Sequence, residues 1–125
     1  MKNIVETASA PTPIGPYSQA VKANNMLYVS GQIALNPKSG ELVQNDIQTE
    51  TRQVMNNLLA ILKEAGVTFN EVVKCSIFVK DMKNFASINE VYGEYFLSDP
   101  PARETVEVSE LPKGVNVEIS CIAVC

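Results

Sequence analysis

The 125-residue sequence predicts an α+β domain, with a sheet of about six strands and two helices packed on one face. Two stretches with a three- and four-residue apolar period predict the helices, and shorter β-branched runs with a period of two predict the strands. The chain is 46% hydrophobic and 19% charged, with no low-complexity tract, which suits one domain over residues 1–125.

Breakers at Pro11, Pro13, Gly15 and Pro16 rule out a helix at the start, leaving an extended segment and an ordered loop. Tyr17 to Lys22 and Met26 to Ile33 follow as strands, with Asn24-Asn25 as a hairpin turn between them. Pro37, Ser39 and Gly40 make a second turn. From Ile47 the period changes: Ile47, Thr51, Val54, Leu58, Ile61, Leu62 and Ala65 fall on one helical face, with Asp46 placed to cap the start and Gly66 to end it. Val72 to Lys80 is a strand. Asn84 precedes a second stripe, Phe85, Ile88, Val91, Tyr92, Tyr95 and Phe96, which Asp99-Pro100-Pro101 should stop. Arg103 to Val108 and Val115 to Val124, joined by a turn at Leu111 to Gly114, close the chain as two antiparallel strands.

Two helices cover only one face of such a sheet. Ile119 to Val124 is nevertheless apolar at nearly every position, so both faces of that strand should be buried. A second copy of the chain is the economical cover, and a homo-oligomer is expected.

Net charge is −4 and there is no histidine. Nucleic-acid affinity comes mainly from neutralising phosphates with Lys and Arg, so no nucleic-acid partner is expected. Without histidine the commonest general base and the commonest zinc ligand are missing, and any catalysis falls to carboxylates, backbone groups, Tyr, Lys or bound water. No apolar stretch is long enough to cross a bilayer, and Met1-Lys2-Asn3 is not followed by a signal-peptide apolar block. A soluble, cytoplasmic protein without a membrane partner is expected. Cys75, Cys121 and Cys125 form no CxxC pair and lie in apolar runs, the pattern of reduced core cysteines.

In the last two strands Arg103, Thr105 and Glu107 share one side by alternation, as do Asn116, Glu118 and Ser120. A hairpin register that sets Thr105 opposite Glu118 would gather Arg103, Thr105, Glu118 and Ser120 on one face. A guanidinium grips a carboxylate through two parallel hydrogen bonds, and a nearby carboxylate can orient or deprotonate water. The spacing is equally that of an Arg103–Glu118 ion pair tying two strands. Glu104 should face away from Arg103.

Ile14-Gly15-Pro16-Tyr17-Ser18-Gln19-Ala20, Ser30-Gly31-Gln32-Ile33, Val79-Lys80-Asp81-Met82, Asn89-Glu90-Val91-Tyr92 with Tyr95-Phe96, Pro101-Ala102-Arg103 and Val117-Glu118-Ile119 run through practically the whole chain. In this order they resemble the signatures of the reactive intermediate deaminase (RidA/YjgF) family. The resemblance implies a bacterial chorismate-mutase-like fold with a mixed sheet, a homotrimer, and sites in the clefts between subunits. It implies hydrolysis of enamines and imines of the 2-aminoacrylate/2-iminopropanoate type to 2-keto acids and ammonia, with no metal and no organic cofactor.

Carried over residue by residue, Arg103 binds the substrate carboxylate, and Glu118 orients water or passes a proton to the leaving nitrogen. Tyr17 walls the pocket, Ser30 and Gly31 form a tight backbone edge, and Asn89 supports the pocket from the side. Taken singly, Tyr17 also suits an interface aromatic, Gly31 a bulge, and Asn89 a helix-surface amide. Thr105 stands where many imine-deaminating members carry cysteine, which leaves the preferred substrate open. The alternative function is a trimeric module that binds 2-keto acids or similar small carboxylates for regulation without turnover. A ribonuclease role, attached to some relatives, sits poorly with the acidity and the missing histidine.

Overall fold

The computed structural model describes residues 1–125. Strands β1 (Asn3–Val5), β2 (Ala20–Ala23), β3 (Met26–Gln32), β4 (Val72–Val79), β5 (Ala102–Glu107) and β6 (Val117–Val124) form one six-stranded sheet in the order β1-β2-β3-β6-β4-β5. Helices α1 (Ile47–Glu64) and α2 (Phe85–Gly93) pack against each other, with α1 lying over β3 and β6. The core joins α1 (Val54, Met55, Leu58, Ile61, Leu62) to the inward side chains of the sheet, among them Leu27, Ile77, Ile119 and Ala123. Each of the larger aliphatic side chains contributes about 2 kcal/mol by leaving water. No helix is long and apolar enough to cross a membrane.

Local chemistry explains the ends of the elements. Asn24 and Asn25 both take left-handed φ (51° and 62°), which two-residue hairpin turns of matching twist require, and they join β2 to β3 with Ala23 opposite Met26. Asp46 accepts the Thr49 amide at 2.8 Å and caps α1, while Gly66 (φ 83°) follows its last turn. The second helix ends earlier than its stripe predicted. Amides of Glu94, Tyr95 and Phe96 bond three residues back and tighten the chain after Gly93. Arg52 of α1 holds Glu94 through two bonds of 2.8 and 3.2 Å, and the rings of Tyr95 and Phe96 turn onto Phe69. Tyr17 to Gln19 also lies outside β2, although the Ser30 amide still donates to the Gln19 carbonyl at 2.9 Å.

The expected hairpin of the last two strands does not form. β6 inserts between β3 and β4, antiparallel to both, while β5 flanks β4 in parallel across the α2 crossover. Burial gives the reason. Val117, Ile119, Cys121 and Ala123 are buried, and Glu118, Ser120 and Ile122 are half-buried, so β6 is suited to the middle of the sheet. β5 is exposed everywhere except at Thr105, and its charges suit an edge, where they discourage further strand pairing. A chain leaving that edge for the middle cannot use a tight turn; it crosses through the short helical turn Pro112–Gly114.

The register then settles which residues share a face. Arg103 lies opposite Cys75 and Thr105 opposite Ile77, whereas Glu118 lies opposite Phe78 and Ser120 opposite Ser76. Alternation along β4 puts Arg103 and Thr105 on the helix side and Glu118 and Ser120 on the other. That other face carries neither helix. Tyr28, Val106 and Val124 on it are 48%, 40% and 46% exposed. Cys75 and Cys121 are buried directly opposite each other on β4 and β6, and burial pushes both thiols up from their ordinary pKa; Cys125, expected in the core, is exposed at the chain end.

Candidate functional site

Arg103 reaches from β5 across to α2. Its Nη1 donates to Asn89 Oδ1 at 2.7 Å, and its guanidinium carbon lies 5.0 Å from the centroid of the Tyr92 ring and 5.6 Å from that of Phe85. Cation–π attraction and one neutral hydrogen bond hold the group in place without neutralising it. Both ion pairs of the chain lie elsewhere, Arg52 with Glu94 and Lys74 with Glu104. A cleft of about 440 Å³ lined by Asn89, Tyr92, Gly93, Phe96, Pro100 and Pro101 opens beside Arg103. This is a cation on an aromatic mount with its charge available to an anion.

Glu104 faces away from Arg103, as alternation predicts. Its carboxylate bonds the Ser76 hydroxyl and pairs with Lys74 Nζ at 3.0 Å, which hold its pKa below the usual range. Thr105 turns its hydroxyl inward, where it is buried with no hydrogen-bond partner, and the Tyr92 hydroxyl is in the same condition.

Glu118 occupies the opposite face. Its carboxyl is half-buried, and desolvation alone pushes its pKa up, with no neighbouring cation to offset that cost. It packs on Gly31, where a Cβ would come within 2.9 Å of Glu118 Cδ. Only glycine leaves the room. The β3–β6 register shifts between Val29 and Gln32, so Gly31 sits in an irregularity of β3 as well as against the carboxyl. Beside it Ser30 Oγ donates to the Ser18 carbonyl at 2.6 Å, pinning the segment after Tyr17.

Tyr17 is exposed and lines a cavity of about 360 Å³ together with Ile14, Gln19, Gly31, Pro112 and Lys113. Gln19 anchors the loop that carries it: buried, it accepts the Thr7 amide at 2.7 Å and donates to the carbonyls of Thr7, Ala10 and Pro11. No group of three or more His, Cys, Asp or Glu side chains is placed to hold a metal ion.

The predicted residues therefore fall into two sets. Arg103 and Asn89 meet on the helix side, with Thr105 two residues further along β5 on the same face. Tyr17, Ser30, Gly31 and Glu118 gather around the other face and its rim. The single-face grouping of Arg103 with Glu118 is corrected by the β4 strand that separates them, and within one chain the two do not pair. Tyr92, Phe85 and Gln19 were not singled out from sequence, although Tyr92 and Gln19 lie inside two of the signatures and Phe85 opens the second helix.

Fold and site together define a small α+β protein in which a guanidinium outside both ion pairs and a half-buried carboxyl lie on opposite faces of one sheet. The chain belongs to the reactive intermediate deaminase (RidA/YjgF) family: the family model for endoribonuclease L-PSP matches residues 7–125. A RutC family protein of Pyrococcus horikoshii is 54% identical over 123 residues, covering 98% of each chain. The 2-iminobutanoate/2-iminopropanoate deaminase of Mus musculus is 45% identical over 124 residues, covering 99% of this chain and 92% of that one. Among solved structures, E. coli TdcF with bound serine superimposes with a TM-score of 0.94 at 40% identity, covering 98% of both chains.

Proposed function

We propose that the protein hydrolyses reactive 2-enamine and 2-imine acids of the 2-aminoacrylate/2-iminopropanoate type to 2-keto acids and ammonia, as a cytoplasmic homotrimer with its sites between subunits. The observation that carries this reading is the division of the site. A guanidinium free of any carboxylate and a half-buried carboxyl free of any cation lie on opposite sides of the sheet. Two copies are needed to bring them to one ligand, and the uncovered sheet face offers the contact surface. A deaminase relative at 45% identity, and a neighbour at 40% identity that binds serine, an amino acid with its own carboxylate, support the substrate class.

In this reading Arg103, backed by Asn89 and Tyr92, fixes the substrate carboxylate. Glu118 from the neighbouring subunit, whose pKa burial raises, gives a proton to the imine nitrogen. The electrophilic carbon takes up one water and the carboxylate so formed accepts that water's proton; Glu118 then passes it to the adduct nitrogen, and ammonia leaves as the carbonyl forms and the hydroxyl proton returns to Glu118. One water enters and one ammonia leaves, so no redox partner is needed. Positioning and proton transfer carry the rate. Tyr17 and Gly31 shape the wall beside the reacting carbon, and Thr105 borders the carboxylate end.

Coupling the protein to a serine or threonine dehydratase, with semicarbazide trapping free imine, tests the reading. Faster keto-acid release that depends on Arg103 supports it. Calorimetric binding of 2-ketobutyrate without any acceleration would instead make the protein a regulatory binding module.

A further inference from the structure

We propose that Glu50 is a positioning residue for this reaction, holding Asn116 so that Glu118, two residues further on, stays at its place beside Gly31; the inference rests on the functional reading above. Glu50 lies in the first turn of α1, far from both sets of site residues in sequence, and is 1% exposed. Its two oxygens take two different donors of one residue. The Asn116 main-chain amide donates to Oε2 and the Asn116 side-chain amide to Oε1, both at 2.8 Å. The Asn116 carbonyl accepts the Lys80 amide at 3.1 Å, so this one residue is tied to the helix and to the end of β4 just before β6 begins.

The choice of a carboxylate here is informative. Neither ion pair of the chain involves Glu50, and a buried carboxylate without a cation is costly. An apolar residue would fill the space more cheaply, and an amide offers one accepting oxygen with a donor at its other tip. Two acceptors are needed because both donors belong to Asn116, whose position sets the start of β6. Glu118 has no ionic tether of its own, since both ion pairs of the chain lie elsewhere, and desolvation alone acts on its carboxyl. It is held by packing at Gly31 and by the backbone that Asn116 anchors, and the Gly31 gap is narrow enough that a small shift of β6 is felt there.

Glu50→Gln keeps the shape but turns one donor toward a donor. At a temperature well below its Tm, kcat is expected to fall about tenfold while KM stays within about twofold, because the carboxylate grip lies on β5. The exchange Glu50→Gln with Asn116→Asp restores both bonds with one polarity reversed, and kcat should return to within about threefold of wild type. A readout independent of turnover is the 13C titration of the Glu118 carboxyl, which should move toward the ordinary carboxylate range in Glu50→Gln and back in the exchanged pair. If Glu50→Gln does not fold, Asn116→Ala, which removes only the side-chain bond, is measured in the same way.

An unchanged kcat and an unchanged Glu118 titration, with only Tm lowered, overturn the proposal and leave the deaminase reading intact. A titration that responds in a protein without turnover upholds the positioning and defeats the deaminase reading.

Discussion

β5 and β6 both lie against β4 and both carry candidate site residues, Arg103 and Thr105 on the first and Glu118 on the second, yet their surroundings differ at almost every position. β5 has one neighbouring strand, exposed side chains, and a guanidinium steadied by Tyr92, Phe85 and Asn89. β6 has a neighbour on each side, buried residues at alternate positions, and a carboxyl wedged against a glycine. An edge strand can extend a long charged side chain from its rim with little desolvation, which suits an ionic grip. A central strand can desolvate a carboxyl, which suits a proton that must be given up near neutral pH. On the proposed function, the fold separates the two tasks by giving each to the strand whose surroundings favour it.

The largest effect expected breaks the β5 side. Arg103→Ala removes the charged partner of the substrate and should lower kcat/KM about a thousandfold in the coupled assay, with Tm nearly unchanged because the side chain is exposed. On the β6 side, Glu118→Gln should lower kcat about a hundredfold with little change in KM. The two variants also sharpen the comparison together. Co-assembled Arg103→Ala and Glu118→Gln subunits should regain activity that neither has alone, because some clefts then combine an intact Arg103 with an intact Glu118. No recovery after confirmed subunit exchange would place each site within one chain. Gly31→Ala should cost about tenfold in kcat and about 2 kcal/mol of stability, read by the assay and by denaturant melts, since its methyl displaces the Glu118 carboxyl.

The smallest effect is a pH dependence. Burial raises the folded-state pKa of Glu118 above its unfolded value, so stability is lost as pH rises through that interval. Glu118→Gln, permanently neutral, should therefore gain Tm relative to wild type at neutral pH and gain nothing at about pH 3, where both states are protonated. The opposite trend would mean that the partner subunit's Arg103, across the cleft, outweighs the desolvation of Glu118 in the assembled protein.

Much of the fold was legible in the sequence because it is written in local chemistry. Asp46, Gly66 and Asn24-Asn25 act on their own neighbours, and the structure places each where its backbone preference predicts. The order of the last two strands was not legible in that way, because strand pairing is a competition among all strands for the middle of the sheet. The composition held the clue. Ile119 to Val124 reads as a strand buried on both faces, whereas Arg103 to Val108 carries Arg103, Glu104 and Glu107, so pairing them as a terminal hairpin conflicted with their own patterns. The site suffered from the same error: alternation correctly gave which residues of each strand share a side, but relating the sides of two strands required the intervening β4. The Glu50–Asn116 contact joins residues 66 positions apart and has no sequence signature at all.

The paired thiols of Cys75 and Cys121 bear on how long such a molecule lasts in use. Electrophilic alkenes and imines consume proteins by adding to thiolates, and a thiol that is both covered and reluctant to ionise presents almost none. On the proposed chemistry the chain meets such electrophiles at every turnover. It keeps its two interior nucleophiles beneath the helices, and leaves only Cys125, at the chain end, open to chemical wear.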